Sequence, residues 1–356
     1  GRLAAFPAGP GRPPWRRERG VSRSTGDAVA ARESMLGTLR RPLPWAAILA
    51  LAVALLGADY ALGKATLVAT YAIAGLGVVI VVGHAGQIAL GQAALVALGA
   101  YAQAVLVRHG VPAALALLAG VAAGALGGAL ASLPARRLGG LYFGMSTLAF
   151  ALIVEEALVR AEALTHGSAG MTVAAFSILG WRADSTLAQA AVSLVAFAVA
   201  VFGCNRLLRS RHGRAWRAVR DDEVAAAACG IAPAAVKMQA FVVGGALSGL
   251  AGALYAHWIG FISPEQFGLV FSFELLMLAF IGGARRLAGA AWGALVIVVI
   301  PQAIAILRDQ LPGDWARAAG LELVLFGAVI VAVVLLRPSG LAGAGGRDGA
   351  AGSHGA

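Results

Sequence analysis

The sequence contains few charged residues and very few lysines and cysteines. Charged residues make up 13% of the 356 residues, against roughly a quarter in an average soluble domain. Hydrophobic residues make up 60% and the mean hydropathy is +0.81. The two cysteines, Cys204 and Cys229, form no C-x-x-C pair and have no histidine spacing suited to zinc. This composition excludes an ordinary soluble domain and indicates a polytopic membrane protein, with neither a redox motif nor a metal finger.

Several catalytic and nucleotide-binding motifs are also absent. The phosphate-binding pattern G-x-x-x-x-G-K-[ST] does not occur, because the sole Gly-Lys pair, Gly63-Lys64, is followed by alanine. The patterns H-E-x-x-H and G-x-S-x-G are missing as well. We therefore expect neither an ATP site nor an enzymatic constellation in this chain.

Hydropathy along the chain predicts about ten membrane spans. Helices of about 20 residues cross a hydrocarbon core of roughly 30 Å, and every backbone polar group in them is paired internally. We therefore predict an all-α polytopic transmembrane helical bundle. The predicted spans lie near residues 44–63, 66–83, 84–107, 111–133, 141–160, 186–208, 237–257, 270–284, 288–307 and 319–336.

The two ends of the chain differ in composition from the apolar middle. Residues 1–34 are rich in Arg, Pro and Gly without apolar periodicity, and residues 342–356 are rich in Gly and Ala. Both segments are predicted to be disordered tails flanking a membrane domain over 35–341. Met35 is the first methionine and a candidate start of the protein.

The distribution of basic residues predicts the orientation. With the N-terminus inside, 15 basic residues beyond residue 34 fall on the cytoplasmic side and 6 fall outside. The positive-inside rule therefore places both termini in the cytoplasm. The net charge of +11 then reports loop orientation, and we expect no nucleic-acid partner.

Glycines predict both a break and close helix packing. Residues 66–107 fit either two helices that turn at Gly83–Gly86 or one helix followed by a broken, partly re-entrant piece. Steps of G-x-x-x-G, which let helices approach closely, occur at 120/124/128, 140/144, 245/249 and 289/293.

The densest cluster of charge lies between Arg206 and Lys237. Within it, residues 214–229 are predicted to form one surface helix of about 16 residues, with Trp216 and Val219 on an apolar side. Gly230 supplies a C-terminal stop. Two interpretations remain open at this point, an ordinary solvated loop helix and a docking element for a cytoplasmic ATPase.

Several ordered motifs carry a resemblance to one transporter family. The loop 213–231 resembles the coupling loop of the branched-chain amino-acid ABC transporter permease family, LivM type. Residues 86–94 are similar to that family's G-Q-x-S-L-G-x-A segment, and residues 141–150 to its Y-x-x-M-x-T-L-A-F helix. Further similar segments are 251–256, 261–264, 273–276, 282–283 and 337–341.

The sequence departs from the family pattern at a few positions. The coupling loop commonly reads E-A-A-x-x-x-G, but here Val224 precedes the two alanines and Glu223 stands one place early. Ala89 replaces the family's usual serine, Leu152 stands at its acidic position, and Arg285-Arg286 replace small residues. We expect docking to be retained with a different ion-pair pattern.

The resemblance implies the larger-type ABC importer permease fold and a non-catalytic subunit that forms half of a translocation pathway. The implied partners are a second homologous permease, two cytoplasmic ATPases that hold ATP and Mg²⁺, an extracytoplasmic solute-binding protein and the lipid bilayer of a bacterial-type plasma membrane. The chain itself would bind no cofactor and no metal. Branched-chain or similar small amino acids are the implied substrates, with urea or short amides as the alternative. The residues that would couple to the ATPases are Gly213, Arg214, Arg217, Asp222, Glu223, Ala225, Ala226 and Gly230.

Polar side chains inside the apolar segments are the candidates for the pathway, because such groups are costly in hydrocarbon. Each has a structural alternative: a helix-end position for the glutamate, bonds to neighbouring helices for the glutamines, and bonds to their own helix carbonyls for the hydroxyls. The candidates are Gln87, Gln92, Ser146, Thr147 and Glu274. An ion-coupled secondary transporter remains the rival, although no clear inverted repeat supports it.

Overall fold

The computed structural model describes residues 58–174, 176–178, 181–183, 185–310, 327–328, 331 and 340–343. The predicted N-terminal tail lies outside these residues, as do most of the first and tenth predicted spans and most of the C-terminal tail. Within the described part the chain is almost wholly helical. Its helices are α1 (Ala58–Val78), α2 (Gln92–Arg108), α3 (Ala113–Ala131), α4 (Gly140–Arg160), α5 (Glu162–Thr165), α6 (Thr186–Arg209), α7 (Arg211–Asp221), α8 (Glu223–Ala228), α9 (Pro233–Ile259), α10 (Leu269–Gly282) and α11 (Leu287–Gln310).

The strands are short and lie in the connections. β1 (Met171–Thr172) pairs antiparallel with β4 (Phe261–Ile262), and β2 (Ser177–Ile178) pairs antiparallel with β3 (Trp181–Arg182). The first pair joins the connection between α5 and α6 to the segment between α9 and α10.

Six described helical segments are long and apolar enough to cross a membrane, and two shorter apolar helices accompany them. These eight segments coincide in position with eight of the predicted spans, which confirms an all-α, polytopic arrangement. The predicted total of ten is not confirmed. The six segments are Asp59–His84, Ala113–Ala135, Gly140–Arg160, Thr186–Arg209, Pro233–Ile259 and Pro264–Gly282, and the shorter two are Gln92–Arg108 and Leu287–Gln302.

The ambiguous region 66–107 combines both predicted alternatives. Helix α1 continues through a π-helical turn, Val79–His84, and a second helix follows. That helix begins at Gln92, eight residues later than predicted, because residues 85–91 are not helical. The break includes Gly86, whose φ of +68° is a left-handed conformation that glycine adopts readily.

Close glycine packing joins α3 to α9 in the centre of the bundle. A Cβ added to Gly124 would lie 2.2 Å from the carbonyl oxygen of Gly245, and one added to Gly128 would lie 2.1 Å from that of Phe241. The predicted steps at 120/124/128 and 245/249 are therefore real helix contacts, which only residues without a side chain allow. The step at 140/144 is different, because Gly140 has nothing within 4 Å and Gly144 meets Ile88 of the non-helical segment.

The spans differ in how much of their surface other parts of the chain cover. The most apolar windows of Asp59–His84 and Pro233–Ile259 are each 72% buried, whereas those of Gly140–Arg160 and Thr186–Arg209 are only 22% buried. Helices α1 and α9 therefore form the inner part of the described bundle. Helices α4 and α6 present most of their surface outward.

Candidate functional site

The charged loop forms two helices, α7 and α8, which we call the loop helices. The single helix predicted over 214–229 is wrong, because Asp222 takes an extended conformation between the two. Its carboxylate accepts hydrogen bonds from the backbone N–H groups of Val224 and Ala225, both at 2.9 Å. An aspartate in this position caps the start of the following helix. A good cap therefore outweighs the helix propensity of the alanine run that follows.

One side of α7 is buried against the end of α6, and it is the apolar side that the sequence predicted. Trp216 is 1% exposed and Val219 is 4% exposed, and both belong to the main hydrophobic cluster with Cys204 and Leu208. Gly213 lies so close that an added Cβ would be 2.3 Å from the carbonyl oxygen of Leu208. The helix therefore has one fixed position on the bundle.

Two polar contacts connect the loop helices to the inner helices. The Arg220 guanidinium donates a hydrogen bond of 2.9 Å to the carbonyl oxygen of Gly83, at the end of the π-helical turn that continues α1. The Lys237 ammonium, near the start of α9, lies 2.7 Å from the Glu223 carboxylate in α8. The Lys237 side chain is only 3% exposed, whereas that of Glu223 is 50% exposed. Each inner helix is therefore connected to one loop helix by a charged side chain.

The opposite side of α8 is smooth, apolar and exposed. Val224 is 79% exposed, and the small residues Ala225, Ala227, Ala228 and Cys229 are also exposed. Gly230 follows the end of the helix with a φ of +82°, which agrees with its predicted role as a helix stop. An added Cβ there would have no atom within 4 Å. The surface formed by 224, 225 and 227–230, which we call the α8 face, has no partner among the described residues.

The structure distributes the predicted coupling residues among different roles. Arg214 is exposed, while Arg217 donates a hydrogen bond of 3.2 Å to the carbonyl oxygen of Leu208. Gly213 and Ala226 are buried, so they position the helices and are not available to a partner. The Arg214 guanidinium donates a hydrogen bond of 3.4 Å to the carbonyl oxygen of Arg209, and Ala225 and Gly230 are exposed as well.

The candidate pathway residues of α2 and α4 surround the non-helical segment 85–91. The Gln92 amide donates a hydrogen bond of 2.8 Å to the Ser248 hydroxyl, and Thr147 accepts one of 3.0 Å from the backbone N–H of Leu90. Ser146 and Thr147 also donate to carbonyl oxygens of their own helix, as one alternative predicted. Gln87 is 8% exposed and donates to the carbonyl oxygen of Ala85. Among these side chains, Thr147 bonds the non-helical segment to α4 and Gln87 forms a bond within the segment.

Glu274 lies apart from that group, in a cavity of about 310 Å³. Tyr71 of α1 and Tyr255 of α9 line the same cavity. Lys64, near the start of α1, lines it as well, so the cavity lies toward the end of the bundle opposite the loop helices. The five candidates therefore form two separate sites, and within the described part of the chain no group of three or more His, Cys, Asp or Glu residues could hold a metal ion.

Sequence reasoning missed several polar residues that the fold brings into contact. Ser272 of α10 accepts a hydrogen bond of 3.1 Å from the backbone N–H of Ala93, and the Gln103 amide lies 2.7 Å from the His257 imidazole. These residues are 179 and 154 positions from their partners, and no local sequence pattern predicts such distant pairs. The only signal in the sequence was the presence of a polar side chain in an apolar segment. The candidates chosen from that signal were other residues.

Comparisons with known proteins show the family to which the chain belongs. A family model described as the permease component of the branched-chain amino acid transport system matches residues 60–334. The chain belongs to this family. It is 31% identical to the high-affinity branched-chain amino acid transport system permease protein LivM of Salmonella typhimurium, over 78% of this chain and 68% of that protein. It is 30% identical to LivM of Escherichia coli, over 85% of this chain and 75% of that protein.

A second kind of permease is also similar to this member of the family. The permease protein LivH of Salmonella typhimurium is 29% identical over 46% of this chain and 50% of that protein. No solved structure matches the chain. The resemblance seen in the motifs is thus confirmed at the level of the family, and the apolar helices are those of a membrane-embedded permease component.

Proposed function

We propose that this permease is one of two membrane subunits of an ATP-driven importer of branched-chain or similar small amino acids. The observation that carries the proposal is the arrangement of the loop helices. One side is buried on the bundle, two charged contacts lead from it to the inner helices, and the α8 face is apolar and exposed. An ATPase that docks on the α8 face would therefore act directly on α1 and α9.

The mechanism follows from these contacts. When the ATPases close on nucleotide, they push the loop helices together, because Asp222 is bonded to both. Its backbone N–H donates to the carbonyl oxygen of Ala218 in α7, and its carboxylate caps α8. The push reaches α1 through Arg220 and α9 through the pair of Glu223 and Lys237. Both inner helices then tilt between outward-facing and inward-facing arrangements, a rigid-body transition of a packed bundle.

The proposed assembly supplies what this chain lacks. A second, homologous permease forms the other half of the pathway, and LivH among the relatives supports such a pairing. Two cytoplasmic ATPases bind ATP and Mg²⁺, and an extracytoplasmic solute-binding protein delivers the substrate. Neither nucleic acid nor a bound cofactor has a part in this function.

The orientation in the membrane follows from the docking surface. The loop helices face the cytoplasm, together with both termini, and the cavity that contains Glu274 opens toward the outer side. Lipid covers the outward surfaces of α4 and α6 where the second permease does not.

The segment 85–91 and its contacts are the proposed moving part of the pathway. Gly86 packs against Arg220, since a Cβ there would lie 2.6 Å from the arginine Cγ. The same segment is bonded to Thr147, and Gln92, which follows it, is bonded to Ser248. A displacement of α7 would therefore shift the backbone that lies beside Gln87 and Gln92, Ser146 and Thr147.

The experiment places a charge on the α8 face of the assembled complex. Val224→Glu leaves the buried face untouched, so the complex should assemble and bind substrate, but ATP-dependent uptake of labelled leucine into vesicles should fall at least tenfold. The matched control is Leu138→Glu, an apolar side chain at the same end of the bundle that is 39% exposed and outside the loop helices. Full uptake by the Val224 variant, or equal loss in both variants, would show that the α8 face is not the docking surface.

A further inference from the structure

The cavity that contains Glu274 has a distinctive set of charges. Glu274 is half-buried, and its carboxylate has neither an ion pair nor a hydrogen bond with any residue that the structure describes. Lys64, the other charged group on its wall, contacts the ring of Tyr60 at 5.3 Å from the centroid. An anion and a cation therefore line one cavity, and within the described chain neither forms an ion pair.

A carboxylate without a partner is costly in apolar surroundings, because its lost hydration is not replaced. The cost is removed when a ligand brings a cationic group with hydrogen-bond donors to the site. A lysine ammonium likewise favours a ligand with a carboxylate. The polar wall thus fits a molecule that carries both an ammonium and a carboxylate group.

Apart from the Gln302 amide, the rest of the wall is apolar or aromatic. Ile297 and Leu67 contribute aliphatic surface, and Tyr71 and Tyr255 contribute ring faces beside the carboxylate. The volume of about 310 Å³ falls at the lower end of the range for small-molecule sites, about 300–1,000 Å³. A small molecule with an aliphatic side chain fits this space, whereas a peptide of several residues does not.

We infer that the cavity is a binding site for the zwitterionic form of an apolar amino acid. Glu274 accepts hydrogen bonds from the α-ammonium, Lys64 faces the α-carboxylate, and the side chain lies against Ile297 and Leu67. This inference rests on the proposed function and extends it, since it assigns the permease a substrate site of its own. It also favours amino acids over urea and short amides, because a neutral amide brings no cation to Glu274.

The position of the cavity gives the site a place in transport. Lys64 lies near the start of α1 and Ile259, at the end of α9, also lines the cavity, while the loop helices contact the other ends of both helices. A solute released at the end opposite the loop helices meets this site first. The same two helices that line the cavity are those connected to the loop helices, so their tilt would alter the site.

The first test compares Glu274→Gln with Glu265→Gln in the complete complex in vesicles. Gln has the size of Glu without its charge, so the KM for leucine uptake should rise about tenfold or more in the Glu274 variant. Glu265 is exposed near the start of α10 and outside the cavity, so its variant should stay within twofold of wild type. A Glu274→Gln complex whose KM and maximal rate both match wild type would overturn the site.

The second test does not depend on transport. Val298→Cys places a thiol on the cavity wall in a Cys229→Ser background, where Cys204 is buried. L-Leucine should slow its labelling by a membrane-impermeant maleimide, while urea at the same concentration should not. Equal slowing by urea, or no slowing by leucine, would overturn the inference.

The outcomes separate this inference from the proposed function. If wild type imports leucine with ATP and both Glu274→Gln and leucine protection show no effect, only the cavity assignment is wrong. If wild type imports urea and no amino acid, the proposed substrate and the cavity assignment are both wrong.

Discussion

Replacement of Gly124 by alanine is predicted to separate the two helices at the centre of the bundle. The added Cβ would lie 2.2 Å from the Gly245 carbonyl oxygen and 2.7 Å from the Gly249 Cα, whereas ordinary contact begins at 3.4 Å. These are backbone atoms of a helix, so no side chain can rotate away. Helices α3 and α9 must move apart by roughly 1 Å, and a gap of that size forfeits about a quarter to a half of the attraction between facing atoms.

The expected cost is about 3 kcal/mol of unfolding free energy, the upper end of the range for overpacked cores. Gly120 and Gly128 lie on the same face and lose their contacts in the same displacement. The assay is an SDS titration of the purified chain in mixed micelles, followed by tryptophan fluorescence. Gly203→Ala is the matched control, because an added Cβ there has nothing within 4 Å and alanine favours the helix. If Gly124→Ala proved as stable as Gly203→Ala, the close packing of α3 on α9 would be refuted.

The remaining predictions concern polar contacts. Glu223→Gln should destabilise the protein more than Lys237→Met, because it leaves a buried ammonium unpaired, whereas the methionine variant leaves a half-exposed carboxylate in water. The expected loss for Glu223→Gln is about 2 kcal/mol of unfolding free energy. Equal losses for the two variants in the same titration would contradict this. Asp222→Ala should cost about 1 kcal/mol through the lost cap and speed proteolysis between the loop helices, whereas Asp222→Asn should retain most of the cap. Thr147→Val should leave the Leu90 N–H without its partner and cost about 1–3 kcal/mol; hydrogen exchange at Leu90 that stays as slow as in wild type would contradict this.

The span positions could be predicted from the sequence because the mean hydropathy of about 20 consecutive residues depends only on which residues they are. The helix starts in the described part agree where a span has clear polar flanks, as at Thr186 after Ser185. The start of the second helix of the 66–107 region was predicted too early, because residues 85–91 are apolar enough to resemble a membrane helix in the sequence. Contacts of this segment with Arg220 and Thr147 favour the non-helical conformation instead.

The site was harder to predict, because its contacts join residues far apart in the chain. Glu223 stands one place before the glutamate of the family pattern. In the structure it pairs with Lys237, which lies 14 residues further along the chain. The break at Asp222 was missed because helix propensity was summed over the loop without weighing the cap. The cavity joins α1, α9, α10 and α11, and a sequence pattern does not indicate which faces of four helices meet.

The measurement that tests the central claim most directly is the energy source of leucine uptake. Vesicles would hold this chain with its second permease and ATPases and receive the solute-binding protein, and labelled leucine would be followed with ATP alone or with an ion gradient alone. An ATP-driven importer takes up leucine with ATP and takes up none with the gradient alone, and this is the result we expect. Uptake that follows the gradient and ignores ATP would contradict it and identify an ion-coupled transporter.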